Sequence, residues 1–314
     1  MSNPAINTQM INDAYRLFLG RVPANAADMQ FNNFDALIST LFGSDEFKAS
    51  PRSRKNTLKW PEAQYFIARD KKIMYCPIGK NACSFFKQAM VKIAQHPNQE
   101  TILRSVHLLT DHVKTGIQLS DYGLDDVEAM LDDPNLVKFA ILRDPARRLL
   151  SAYIEKFVKN REEHSNIKYH TATVVWAVQS QSGMEQPDFH QGISFRSFVA
   201  HITSIDPEIL DPHWRPQHLY LGNHDWPNLY TFDTLPDAVA TLEAHSGVDL
   251  DAPPVNKSGS GVGQVHVGAD ALLPSELDDL PMITVESFLT PEIDAALRMY
   301  YAKDYTLIES IEKQ

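Results

Sequence analysis

The apolar run Phe139-Ala-Ile-Leu142 stops at Arg143 and passes through Asp144 and Pro145 into a second pattern, and this junction constrains the fold more than any other feature of the chain. Asp144 is suited to cap a helix and Pro145 to occupy its first position, so a strand feeds a helix through a tight turn. Leu149, Tyr153 and Phe157 recur every four residues, as do Leu150, Ile154 and Val158, which predicts a helix packed along one broad side. Arg147, Ser151 and Glu155 fall on another face. A guanidinium at the strand end and a hydroxyl two turns into the helix can converge on one small anion, with the fork geometry that phosphate prefers. As a pattern alone, the same residues also describe an ordinary βα unit with a solvated charged face.

A comparable unit lies upstream. Lys72-Ile-Met-Tyr-Cys-Pro-Ile78 reads as a short buried strand, Gly79-Lys-Asn-Ala-Cys-Ser84 as a loop, and Phe85 to Ala94 as a helix with Phe86, Met90 and Ile93 along one stripe. Strand, small-residue loop and helix is a geometry that points free amides and a positive dipole end at an anion. A Walker loop needs a glycine, four residues, then Gly-Lys-Ser/Thr; no glycine precedes Gly79 at that spacing and Asn81 follows the lysine, which disfavours a P-loop kinase.

Arg143-Asp-Pro-Ala-Arg-Arg-Leu-Leu-Ser-Ala-Tyr153, followed by Lys156-Phe157, resembles the 3′-phosphate motif of the Golgi carbohydrate sulfotransferases (the HNK-1 and chondroitin type, sulfotransferase family 2) and their bacterial relatives. Lys80-Asn-Ala-Cys-Ser84 is similar to that family's 5′-phosphosulfate loop, with Gly79 where the family has proline. Asp211-Pro-His-Trp-Arg-Pro-Gln217 with Asn228-Leu-Tyr-Thr-Phe232, Val255-Asn-Lys-Ser-Gly259 and Tyr301-Ala-Lys-Asp-Tyr305 extend the likeness over about residues 70 to 312. The resemblance implies a P-loop-kinase-like sulfotransferase fold of the α/β class: a central, mostly parallel sheet flanked by helices, both phosphate loops at its carboxyl edge, and a small N-terminal helical appendage. It implies 3′-phosphoadenosine 5′-phosphosulfate as donor, with Gly79, Lys80, Asn81, Ala82, Cys83 and Ser84 on the 5′ side, Arg143 and Ser151 on the 3′-phosphate, and Lys257 and Ser258 closing over it. Lys80 is then expected to neutralise the leaving oxygen. His213 is the first choice for the acceptor's base, because imidazole titrates near neutrality; buttressing by His213 and Arg215 is the alternative, and His107, His112, Asp211 and Glu155 are reserves.

No metal is expected: a sulfuryl group carries less charge than a phosphoryl group, His107, His112 and His164 lack tight ligand spacing, and His213 has no neighbouring ligand types. Cys76 and Cys83 are the only cysteines, so no disulfide scaffold is indicated. The net charge of −11 argues against nucleic acid and against densely anionic polymers. A glycan, glycolipid or small hydroxylated metabolite fits better as acceptor, and Tyr169, Trp176, Trp214 and Trp226 could stack on sugar faces. No stretch approaches the roughly 18 apolar residues of a membrane span, and the N-terminus lacks a leader pattern, which predicts a bacterial-type cytoplasmic enzyme.

Residues 1–50 read as a separate helical module: Tyr15, Phe18 and Leu19 make one stripe, Leu37, Leu41 and Phe42 another. Its Tyr-Arg-x-x-Leu-Gly-Arg opening and Ser-x-Glu-Phe close resemble a small module of bacterial surface-glycan proteins. It is expected either to dock a partner or acceptor through residues 9–50 or to cap catalytic-domain surface. Residues 51–69 read as a basic linker and 70–314 as the catalytic domain. A noncatalytic glycan-binding module, in which Lys80 would be dispensable, is the remaining alternative.

Overall fold

The computed structural model describes residues 6–54, 58–161, 166–251, 264–278 and 284–313, with backbone only for 166–169. Its centre is a four-stranded sheet in the order β1 (Phe66–Ala68), β2 (Ile73–Cys76), β3 (Val137–Leu142), β4 (Asn228–Thr231). β2, β3 and β4 run parallel, and β1 is an antiparallel edge strand. The expected α/β, mostly parallel sheet is therefore present among the described residues.

Each parallel strand needs a crossover long enough to return to the same edge. Helices α1 (Thr8–Leu19), α2 (Phe34–Gly43) and α3 (Asp45–Ala49) precede the sheet. Between β2 and β3 run α4 (Cys83–Ile93), α5 (Gln99–Arg104), α6 (Val106–His112) and α7 (Leu124–Leu131). The β3-to-β4 crossover holds α8 (Pro145–Tyr153), a π-helical extension over Ile154–Lys159, α9 (Asn166–Ser180) and α10 (Phe195–Ile202). After β4 come α11 (Leu235–Ser246), α12 (Pro274–Leu277), α13 (Pro291–Tyr300) and α14 (Ala302–Glu312). No helix among the described residues is long and apolar enough to cross a membrane.

The period of two along the strands divides the core. Phe66, Ile73, Tyr75, Phe139 and Ile141 face one side, where Tyr75 stacks on Phe139 with ring centres 4.8 Å apart. Ile67, Met74, Cys76, Ala140 and Leu142 face the other. A further cluster, built on Tyr153, Phe157, Phe198 and Trp214, lies among the helices of the long crossover and α13.

Two expectations about organisation change. Met10, Leu17, Phe18, Leu37 and Leu41 belong to the same apolar cluster as Tyr75 and Phe139, so the N-terminal helices share a core with one face of the sheet. The segment expected as a basic linker is tied down: Arg52 donates to the Leu17 carbonyl at 3.4 Å, and Arg54 forms an ion pair with Asp121 at 2.9 Å with both side chains at most 4% exposed. β1 also falls inside residues 51–69, so the sheet begins earlier than residue 70.

Candidate active site

The strand ends and turns behave as their residues dictate. Asp144 caps α8, its carboxylate accepting from the Arg147 amide at 2.8 Å, with Pro145 at the first helical position. At the end of β2 the loop makes an unusual backbone: Lys80 and Ala82 both take left-handed conformations, φ 70° and 56°. No side chain caps the N-terminus of α4 that follows, so its leading amides, from Cys83 and Ser84 onward, have no side-chain acceptor. Consecutive free amides at a positive dipole end form an anion cradle.

The two loops are held against each other. Arg143 Nη1 donates to the Lys80 carbonyl at 3.1 Å, and its guanidinium lies 4.6 Å from the centre of the Phe232 ring. Burial, and then the neighbouring Arg147, pull the Arg143 pKa below its usual value, which marks a partly desolvated cation. Arg148, only 2% exposed, donates to the carbonyls of Gly79, Arg215 and Pro212 at 2.9, 2.8 and 3.1 Å, pinning two loops with one side chain.

Gln217 is a second junction that sequence reading passed over except as a motif letter. Its side chain accepts from the Arg143 amide at 3.0 Å, donates to the Arg143 carbonyl at 2.8 Å, and accepts from Asn81 at 2.6 Å. Asn81 also donates to the Ile141 carbonyl at 2.8 Å. The Asn81 side chain is therefore turned into the core and ties the Gly79–Ser84 loop to β3, a correction to its expected place among the donor ligands. Asp304 explains the C-terminal Tyr301-Ala-Lys-Asp-Tyr305 element: its buried carboxylate accepts from the amides of Gln217 and His218 at 2.6 and 2.9 Å, while the Tyr301 hydroxyl donates to the Trp214 carbonyl at 2.6 Å.

The chemistry-bearing groups collect beside Lys80. Its ammonium pairs with Glu155 on the π-helical segment. Burial opposes ionisation of Glu155, but Lys80 outweighs it and leaves the carboxyl below the usual range. His213 sits over the loop: a Cβ on Gly79 would lie 3.9 Å from its Cδ2. His213 Nδ1 is 2.7 Å from one oxygen of Asp211, whose other oxygen is 2.6 Å from His170 Nδ1. Burial disfavours the Asp211 carboxylate, yet the hydrogen bonds from His213 and His170 prevail and hold its pKa down at about 2. Burial likewise lowers His213, with Asp211 acting in the opposite sense.

His170 carries no sequence signal, since it joins Asp211 from 41 residues away. His170, Asp211 and His213 bring ligand-type atoms within 4.8 Å of one another, contrary to the expectation that His213 has no such neighbours, although Asp211 already serves both imidazoles as a hydrogen-bond acceptor.

The other expected residues have surroundings of their own. Ser84 is 2.7 Å from His107 Nε2 on α6. Ser151 is half-buried on α8 and no hydrogen bond links it to Arg143. Trp214 and Trp226 are core side chains, 1% and 6% exposed, so neither stacks on a sugar; Trp176 is half-exposed. Lys257 and Ser258 lie outside the described residues, as does the side chain of Tyr169.

Residues 63–241 match the family described as "Sulfotransferase family". Among similar proteins, carbohydrate sulfotransferase 14 of Mus musculus is 29% identical over 154 residues, 49% of this chain and 38% of the relative. Carbohydrate sulfotransferase 10 of Xenopus laevis is 28% identical over 248 residues, 76% of this chain and 64% of the relative. Carbohydrate sulfotransferase 11 of Rattus norvegicus is 23% identical over 187 residues, 58% and 49% respectively. The chain thus spans between 38% and 64% of the length of these curated relatives. No solved structure matches. These matches overturn the expected cytoplasmic placement, because the relatives are animal carbohydrate sulfotransferases, Golgi membrane enzymes. They lend nothing to a bacterial origin.

Proposed function

The chain belongs to the sulfotransferase family, and from that premise we propose that it transfers the sulfuryl group of 3′-phosphoadenosine 5′-phosphosulfate to a hydroxyl of a carbohydrate or other small neutral acceptor. The observation that carries this reading is the contact between the loops after β2 and β3: Arg143 reaches the Lys80 backbone at 3.1 Å, bringing a half-buried guanidinium beside an uncapped helix end. A nucleotide with phosphates at both 5′ and 3′ positions needs two such anion sites side by side. The sheet is read, accordingly, as that of a P-loop-kinase-like sulfotransferase.

In this reading the amides of the Gly79–Ser84 loop and the Ser84 hydroxyl hold the 5′-phosphate, Arg143 and Ser151 hold the 3′-phosphate, and Lys257 and Ser258 close over the donor. The acceptor oxygen attacks sulfur in line. Negative charge builds on the oxygen leaving with the 5′-phosphate, where Lys80 exchanges its partner Glu155 for that oxygen. His213, with Nδ1 turned to Asp211, presents Nε2 to the acceptor proton. No step needs a metal. The acceptor is read as a glycan, glycolipid or small metabolite, in line with the net charge of −11. Residues 1–50 are read as an accessory cap on the catalytic unit.

The kinase alternative predicts a different ligand preference. Thermal melting with 3′,5′-adenosine diphosphate should raise the melting temperature clearly more than ATP with magnesium does. The reverse order would sink the sulfotransferase reading, and no shift with either nucleotide would favour a noncatalytic module.

A further inference from the structure

Lys156 has no part in the reaction as drawn, yet it is the least comfortable charge in the site. It follows Leu149 and Ala152 along a face of the α8 helix that is otherwise apolar and buried, and it is itself only 5% exposed. The backbone around it is π-helical, from Ile154 to Lys159, a geometry that departs from helical register at some energetic cost and recurs at functional sites. Burying an ammonium is unfavourable unless it is paired. Its ammonium has no hydrogen bond or ion pair among the described residues.

The charged groups that act on it are Glu155, Asp211 and Lys80, and its own charge acts on His213. Burial pulls its pKa below the usual lysine value, with Glu155 and Asp211 opposing. Both carboxylates already have close donors: Glu155 holds Lys80, and Asp211 holds His213 and His170. The site therefore keeps a largely buried cation whose anionic neighbours among the described residues hold other donors, as suits a place built to receive an anion.

We propose that Lys156 is a second sulfuryl-site cation, binding the non-bridging oxygens of the sulfuryl group while Lys80 takes the bridging oxygen. The proposal rests on the donor assignment above. In the transfer, the acceptor oxygen forms the new S–O bond as the bond from sulfur to the 5′-phosphate oxygen breaks. The electron pair stays on the phosphate oxygen, and the acceptor proton goes to His213. Lys156 keeps its proton throughout and holds the travelling group between the two oxygens.

Calorimetry on the full chain separates this role from a structural one, using two ligands that differ only in the sulfuryl group. Lys156→Met should weaken 3′-phosphoadenosine 5′-phosphosulfate by about tenfold or more, the usual scale for a lost charged hydrogen bond, and change 3′,5′-adenosine diphosphate by less than about twofold. Lys156→Arg should restore much of the preference. Equal changes for both nucleotides, or none, would overturn the proposal. If Lys156→Met fails to fold, Lys156→Gln carries the same comparison. Failure of the unsubstituted protein to bind either nucleotide would bring down the donor assignment first, and this inference with it.

Discussion

Arg143 holds the Lys80 carbonyl and also faces the expected 3′-phosphate, so its loss should be felt in binding more than in folding. Arg143→Ala should weaken 3′,5′-adenosine diphosphate by about 2 to 3 kcal/mol, the range for a charged hydrogen-bond partner, and adenosine 5′-phosphate far less. Titration calorimetry with the two nucleotides checks this; equal losses would remove Arg143 from the 3′ site. In the mechanism proposed, Lys80 acts in the transition state. Lys80→Ala should cut single-turnover transfer by at least about a hundredfold while product-nucleotide affinity falls less. As the proposed base, His213 should set the pH dependence. A base works only when unprotonated, so the rate is lost as pH falls through the His213 pKa, which burial has moved below the ordinary histidine value. Asp211 opposes that shift. Asp211→Asn should therefore lower the His213 pKa further and displace the acid limb of the pH–rate profile to lower pH. A limb that stays in place would point to another base, with His107, next to Ser84, the reserve imidazole beside the Gly79–Ser84 loop.

Among elements, the C-terminal helix α14 does more for the site than its distance in sequence suggests. Asp304 is 1% exposed and takes three donors: the amides of Gln217 and His218 and the His218 ring, at 2.6, 2.9 and 2.7 Å. Removing the carboxylate leaves two backbone amides at the Gln217 junction without their acceptor. Asp304→Ala should cost about 3 kcal/mol of stability, read as a lower urea midpoint at unchanged slope. Because Gln217 also grips Arg143 and Asn81, the same variant should weaken nucleotide binding although Asp304 touches no ligand. The β2–loop–α4 and β3–turn–α8 elements were legible from sequence for a local reason: apolar period, cap and proline all act within a few residues. The π-helical turn after α8 was not. Ile154, Phe157 and Val158 suit either helical register, and packing in the crossover cluster chose between them.

Over the whole molecule, one apolar cluster runs from α1 and α2 through one face of the sheet to α11, so the N-terminal helices should not unfold alone. Phe18 is fully buried between Phe42 and Phe47, both at 4.9 Å. Phe18→Ala should cost about 3 to 5 kcal/mol and shift a single urea transition, with tryptophan fluorescence and circular dichroism coinciding. A separate early transition would mean that residues 1–50 form an independent unit. The sequence by itself determined the α/β class, the two strand–loop–helix units that carry Lys80 and Arg143, and the family, because each is written in contiguous residues whose spacing is local. Tertiary structure decided the rest. Asn81 became a core staple, Gln217 and Asp304 became the joint between loops, His170 joined Asp211 from a distant helix, Lys156 was enclosed with no partner of its own among the described residues, and the basic stretch after the N-terminal helices became a strap anchored by the buried Arg54 side chain. These outcomes depend on which distant groups meet once water is excluded, and buried polar atoms must then find partners wherever the fold supplies them.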